Sequence, residues 1–305
     1  EELPPGAVQN PHRCCAGRWC ITCEGTLPKS GNCPYCRQPY VEESIGYSNT
    51  QFTFTIMVMF RCIQLSWRRN GRLHREGDRP AEIVYTDDGI MMSQCWYRDG
   101  LQHRDGEPAE INYRYNGTLL SQCWYSDGLR HRDGDEPTVI SYKEDGTIQS
   151  QGWQRDGLRH RNGDEPAVIE YHSRVIESEG WYRNDLLHRE GDLPAYIQYS
   201  EDGAIKTQHW YRDDHLHREG DLPAEIHYYE SGAIQSKEWY RYGRLNRESE
   251  PAYIKYREDG TIISQHWLRD DRLHREGDGP AMIEYSESGA MVSQSYYRHG
   301  IQVKP

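Results

Sequence analysis

Apolar and polar residues alternate in short runs that return at a fixed interval. In Pro223-Ala-Glu-Ile-His-Tyr228, Ala224, Ile226 and Tyr228 stand against Glu225 and His227. A period of two is that of a strand with one buried face. Related Pro-Ala-x-Ile-x-Tyr runs recur in step with tryptophans at 67, 96, 124, 153, 181, 210, 239 and 267, which lie 28 or 29 residues apart; Tyr296 takes the same place at the end. This interval predicts a tandem-repeat β protein over 67–305, with eight units and a terminal half-unit.

Two turn signals divide each unit. Asp-Gly or a relative follows Trp-Tyr-Arg, as at Asp99-Gly100, Asp127-Gly128 and Asp156-Gly157, and a glycine follows the Tyr at Gly117, Gly146, Gly203, Gly232, Gly260 and Gly289. Asx-Gly between alternating segments predicts a hairpin, because glycine accepts positive φ. Two strands per unit are expected: the Pro-Ala run, and a second from Ile through Ser-Gln-x to Trp-Tyr-Arg. In the second, Ile and Trp have opposite parity, so either the strand is bulged or the two side chains face different sides.

Composition narrows the fold class. Hydrophobic residues make up only 35%, with three Phe against 23 Tyr and nine Trp. Tyr and Trp suit a thin structure in which each ring keeps a polar tip near water. The expectation is an all-β, elongated, single-layer antiparallel β-hairpin ribbon whose units are stabilised by their neighbours. Residues 44–66 are expected to be a linker with capping strands: Gln51–Trp67 is β-rich and apolar. The longest apolar run, Phe52–Phe60, ends at Arg61 and is too short to cross a bilayer, which takes about 20 residues.

One unit opens Trp210-Tyr-Arg-Asp-Asp-His-Leu-His-Arg-Glu-Gly-Asp-Leu-Pro-Ala224. It resembles MORN-type repeats, in the variant Trp-Tyr-x-Asn/Asp-Gly-x-x-His-Arg-x-x-Gly-Pro-Ala found in proteins of large DNA viruses such as the marseilleviruses. His274-Arg-Glu-Gly-Asp-Gly-Pro-Ala281 is its nearest copy, while Leu193, Leu222, Glu136 and Glu165 before the prolines depart from it. The resemblance implies hairpins in a solenoid-like strip used for contact with other macromolecules, and it implies no catalysis.

The recurrent His-Arg pair invites a metal or catalytic reading. It falls at His74, His103, His131, His160, His188, His217 and His274, with Asn246 breaking the series. Copies in adjacent units lie two strand spacings apart, about 10 Å, which is too far for shared coordination. These histidines, with Trp96, Trp124, Trp153, Trp181, Trp210, Trp239 and Trp267, are therefore read as structural: the imidazole bonds a turn backbone, and the Arg pairs with the Glu-Gly-Asp acids that come after it. No catalytic constellation stands out.

Residues 1–43 carry a different signal. Cys14 and Cys15, then Cys20-x-x-Cys23, then Cys33-x-x-Cys36 with His12 nearby provide thiolate pairs that a short turn can present to one tetrahedral Zn²⁺. The segment resembles the C-terminal two-thirds of a RING finger. That resemblance makes Cys20 and Cys23 the third ligand pair, Cys33 and Cys36 the fourth, and Cys14/Cys15 with or without His12 the second. It also places Pro34 at the E2-contact position and Arg37 at the ubiquitin-clamping position. The first pair is absent. Glu1-Glu2-Leu3 resembles the residues on the C-terminal side of that pair in RING fingers, implying that the sequence begins inside the domain. Gly17 stands where the usual histidine would be.

The formal net charge of -12 repels phosphate and weighs against nucleic acid and anionic membranes as partners. The start shows no signal-peptide pattern, and the paired cysteines read as zinc ligands in a reducing, intracellular setting. The expected function is a non-catalytic scaffold contacting other proteins, with the viral resemblance implying a minor capsid or virion component in the virion or host cytoplasm. The alternative is a RING-type E3 ubiquitin ligase whose repeats recruit substrate.

Overall fold

The structure, a computed structural model, describes residues 44–46, 52–59 and 62–304. The described residues contain strands and turns and no α-helix. The chain divides into two compact units, 1–147 and 148–305, each an antiparallel meander. In the first, Ser44–Gly46, Phe52–Met59, Cys62–Arg69, Glu82–Thr86, Met91–Cys95, Glu110–Tyr113, Leu119–Cys123 and Val139–Tyr142 run in chain order. Each is paired with the next wherever a register is defined. The second continues the pattern from Ile148–Gly152 through Glu225–Tyr228 and Ile234–Glu238 to Met291–Arg298 and Ile301–Val303. The fold is an all-β repeat of consecutive hairpins.

The second strand of each repeat settles the parity question that the sequence leaves open, and it departs from expectation in one further respect. It is bulged: Ser236 pairs with His227 and Ile234 with Tyr228, so Gln235 is the extra residue. The extra residue restores parity, bringing Ile234 to the face on which Trp210 packs against Ala224 and Ile226. Before each tryptophan from Trp96 to Trp267 the strand also stops instead of running through Trp-Tyr-Arg, whereas Cys62–Arg69 and Met291–Arg298 run through as expected. Trp210 donates its backbone N–H to the Ala224 carbonyl at 2.8 Å, and the next two residues enter a separate two-residue hairpin, Tyr211–Arg212 with His215–Leu216. Asp213 and Asp214 turn that hairpin with φ of 48° and 64°, the mirror-image geometry that matches strand twist. Each complete repeat thus carries two long and two short strands.

The core is a series of small clusters rather than one interior. Trp239 with Ala252 and Ile254, and Trp267 with Ala281 and Ile283, repeat the Trp210 arrangement. The alanines are fully buried, and Thr138 takes the same place at 1% exposure. A side chain with more than one atom beyond Cβ in each branch has no space there.

Candidate functional site

The tryptophan platform is completed by the arginine of its own His-Arg pair. The guanidinium carbon of Arg104 lies 4.1 Å over Trp96, that of Arg189 3.8 Å over Trp181, and that of Arg218 3.9 Å over Trp210. All eight repeats have this stack. The same arginine donates from Nη1 to its own repeat's proline carbonyl, Arg218 to Pro223 at 3.2 Å. Its remaining edge faces the preceding repeat. Arg218 forks onto Asp192 through Nε at 2.5 Å and Nη2 at 2.8 Å; Arg104 does so onto Asp78, Arg189 onto Asp164 and Arg247 onto Asp221.

The acid partner is therefore the aspartate one repeat back, and not an acid on the C-terminal side of the arginine. The acid two residues after the histidine instead takes the arginine of Trp-Tyr-Arg, as Arg98 with Asp105 at 2.7 Å and Arg269 with Glu276 at 2.9 Å.

Four of the histidines couple their repeat to the next. His74 Nδ1 accepts the Asp99 N–H at 3.1 Å, His103 that of Asp127 at 3.0 Å, His217 that of Tyr242 at 3.3 Å and His274 that of His299 at 3.1 Å. A ring nitrogen that accepts carries no proton, so the proton sits on Nε2, which faces Glu76 at 3.1 Å from His74 and Glu276 at 3.0 Å from His274.

Where the short hairpin turns on Asx-Asp, a second coupling is present. Asp185, Asp214 and Asp271 accept the backbone N–H of Arg159, Leu187 and Leu245 in the preceding repeat. Asn246, in a histidine position, donates to Asp270 at 3.1 Å. His131, His160 and His188 occupy the same register, and His188 Nδ1 lies 3.3 Å from Asp213.

Two recurrent contacts lie beyond the sequence reading. The strand tyrosine donates to the glutamine of the preceding repeat, Tyr142 to Gln122 and Tyr228 to Gln208, both at 2.7 Å; Glu179 substitutes for the glutamine under Tyr199. The stacking of the arginine on the tryptophan is the other. Both have a signal, since Tyr, Gln, Trp and Arg each recur once per unit at constant separation. Between the first two repeats His74, Arg75, Trp96, His103 and Arg104 line a cleft of about 330 Å³. The recurrent polar groups in it are occupied with one another, which suits bracing better than catalysis.

The acids of the Arg–Asp forks titrate unusually. The hydrogen-bonded arginine of the next repeat holds the carboxyls of Asp78, Asp164, Asp192 and Asp221 below the ordinary aspartate range. A depressed folded-state pKa contributes stability that is fully present above the unfolded value, about 3.9, and is lost as pH falls through the folded one. The urea midpoint is therefore expected to fall on acidification below about pH 4, and Asp192→Asn is expected to flatten that acid limb. Superimposable acid limbs for the two proteins would show that the Asp192 fork contributes nothing. The aspartates are more than half exposed, so the contribution per pair is small and salt-sensitive.

Cys95 and Cys123 are buried free thiols and Cys62 is half-buried. Burial pushes the first two up to about 12 and about 11, so they stay protonated and poorly nucleophilic. The proposed zinc ligands Cys14, Cys15, Cys20, Cys23, Cys33, Cys36 and His12, with Pro34 and Arg37, lie outside the described residues. No helix among the described residues is long and apolar enough to cross a membrane. No protein-family model matches the chain, and no curated protein matches it.

Proposed function

We propose that this chain is a non-catalytic scaffold whose repeats present a surface to other proteins. The observation that carries the reading is the use of the recurrent polar side chains: His, Arg, Asp, Tyr and Gln are engaged within and between repeats. Chemistry directed outward is left to the positions that vary. Among these, the fifth residue after the tryptophan is an exposed leucine at Leu101 and Leu129 in the first unit. A Cβ built on Gly128 would lie 3.2 Å from Leu101, so successive short hairpins set such side chains side by side. The second unit has exposed Leu158 and Leu186 at this position, then His215, Arg244 and Arg272. Adjacent exposed leucines favour protein contact over nucleic acid.

The repeat resemblance extends this reading to a minor capsid or virion component. The test is the copy number of this chain, by quantitative mass spectrometry, relative to the major capsid protein of purified particles. A fixed ratio that survives salt washing is expected; absence from the particles would overturn the virion assignment. The paired cysteines with Pro34 and Arg37 favour a second reading, a zinc-dependent RING-type ligase. That reading expects self-ubiquitination with an E2 enzyme, abolished by Cys33→Ser.

A further inference from the structure

On one face of the second unit, direct cross-strand partners form a row that the repeat pattern does not explain. Tyr196 pairs with His209, His209 with Glu225, Glu225 with Glu238, Glu238 with Tyr253, and Tyr253 with His266. Partners in a ladder share a face, so two carboxylates stand directly opposite each other at the centre of the row. Like charges in that relation are destabilising.

Glu225 is largely shielded from solvent, and two imidazoles approach it. The Glu225 side chain is 13% exposed and that of His209 18%. Burial and the Glu225 carboxylate together push the Glu238 carboxyl up. Two residues along the strand from Glu225, and so on the same face, His227 places Nε2 2.7 Å from Glu225 Oε1. From the other side His209 Nε2 lies 3.9 Å from the same oxygen. Tyr240 donates its hydroxyl to Glu238 Oε2 at 3.0 Å, which braces that carboxylate without neutralising it.

We infer that Glu225, His227 and Glu238, with His209 at the fourth corner, form a binding site for one divalent transition-metal ion, with Zn²⁺ the best fit. One ligand atom from each of Glu225, His227 and Glu238 falls within a mutual distance of 4.8 Å. Tetrahedral Zn²⁺ with bonds of about 2.0 Å needs neighbouring ligand atoms about 3.3 Å apart. Small side-chain adjustments therefore reach the coordinated geometry. Two imidazoles among four ligands select against Ca²⁺ and Mg²⁺, which take oxygen shells of six or more. The ion's two charges cancel the two carboxylates, and Tyr240 is the group that orients the Glu238 ligand.

The set is confined to one place in the chain. The positions of Glu225, His227 and Glu238 are Tyr196, Gln198 and His209 one repeat earlier and Tyr253, Lys255 and His266 one repeat later. Those neighbouring repeats fold in the same way without it, so the ligands are not required by the hairpin architecture.

The site is tested on the full chain by Co²⁺ titration and metal analysis, because Co²⁺ reports its ligands in the absorption spectrum. Thiolate ligands in the cysteine-rich segment add a near-ultraviolet charge-transfer band; a Glu/His site gives visible bands without one. Wild-type protein is expected to bind one Co²⁺ more per chain than Glu238→Gln and than the double variant Glu225→Gln/His227→Gln. The lost component is expected to be the thiolate-free one, and Zn²⁺ should displace it. The conservative variants keep side-chain volume, and unchanged tryptophan fluorescence confirms their folding. Equal stoichiometry and identical spectra for wild type and folded variants would overturn the site.

Discussion

Trp210→Ala is expected to destabilise the second unit by about 3–5 kcal/mol, the range for removing a large buried aromatic side chain. Trp210 is 6% exposed and is the largest member of a cluster otherwise built from Ala224 and Ile226, with Tyr228, Ile234 and Tyr240 against its rim. The Arg218 guanidinium lies 3.9 Å over the ring. That arginine loses its platform in the variant, so its contacts with Pro223 and Asp192 loosen as well.

A core built of separate clusters also fixes where the damage goes. Stability in such an array is close to a sum of nearest-neighbour contributions, so the loss should be local. Hydrogen exchange is expected to show protection falling in 196–238 while amides of Met282–Tyr285 remain near their wild-type values. An equal loss of protection throughout the second unit would show a single cooperative core and would sink the cluster description.

The parts of this architecture that can be read from sequence are those set within one strand or one turn. Ala224, Ile226 and Tyr228 alternate, and the turn glycine near each hairpin tip is needed for positive φ, as at Gly232 with φ 83°. Both features stand without knowledge of the neighbours. The bulge at Gln235 is one of two solutions to the Ile–Trp parity problem, and only the register against Tyr228 decides between them.

The break at Trp210 is hidden for a related reason. Trp-Tyr-Arg has strand propensity, but Tyr211–Arg212 leaves the long strand to pair with His215–Leu216 in its own short hairpin. Sequence proximity pairs Arg218 with the acids beside it, whereas the fold turns its free edge toward Asp192, 26 residues back. The Glu225–Glu238 opposition depends on register alone. Local chemistry is legible, and chemistry created by the register of one strand against another, within a repeat or between repeats, is not.

Arginine replacements should separate the three contacts of the clamp, because the chain contains its own controls. Arg218 stacks on Trp210, donates to Pro223 and forks onto Asp192. Arg275 stacks on Trp267 at 3.8 Å and donates to Pro280 at 3.0 Å. It has no aspartate opposite, because the preceding repeat reads Glu248-Ser-Glu250 where others have Glu-Gly-Asp.

The shared contacts are worth about 1–2 kcal/mol for a mostly desolvated cation–π stack, plus about 1 kcal/mol for the carbonyl hydrogen bond. The fork adds at most about 1 kcal/mol, since its acid is 57% exposed and open to screening. Arg218→Ala is thus expected to cost up to about 3–4 kcal/mol and Arg275→Ala about 2–3 kcal/mol, measured by urea unfolding. Lysine rescues neither fully, because an ammonium lacks the planar guanidinium that stacks on the ring while donating to the proline carbonyl. In about 1 M salt, where the screening length is about 3 Å, the difference between the two sites should shrink while the shared loss persists. A salt-independent difference, or equal costs at low salt, would mean that the fork to the preceding repeat does not hold the units together.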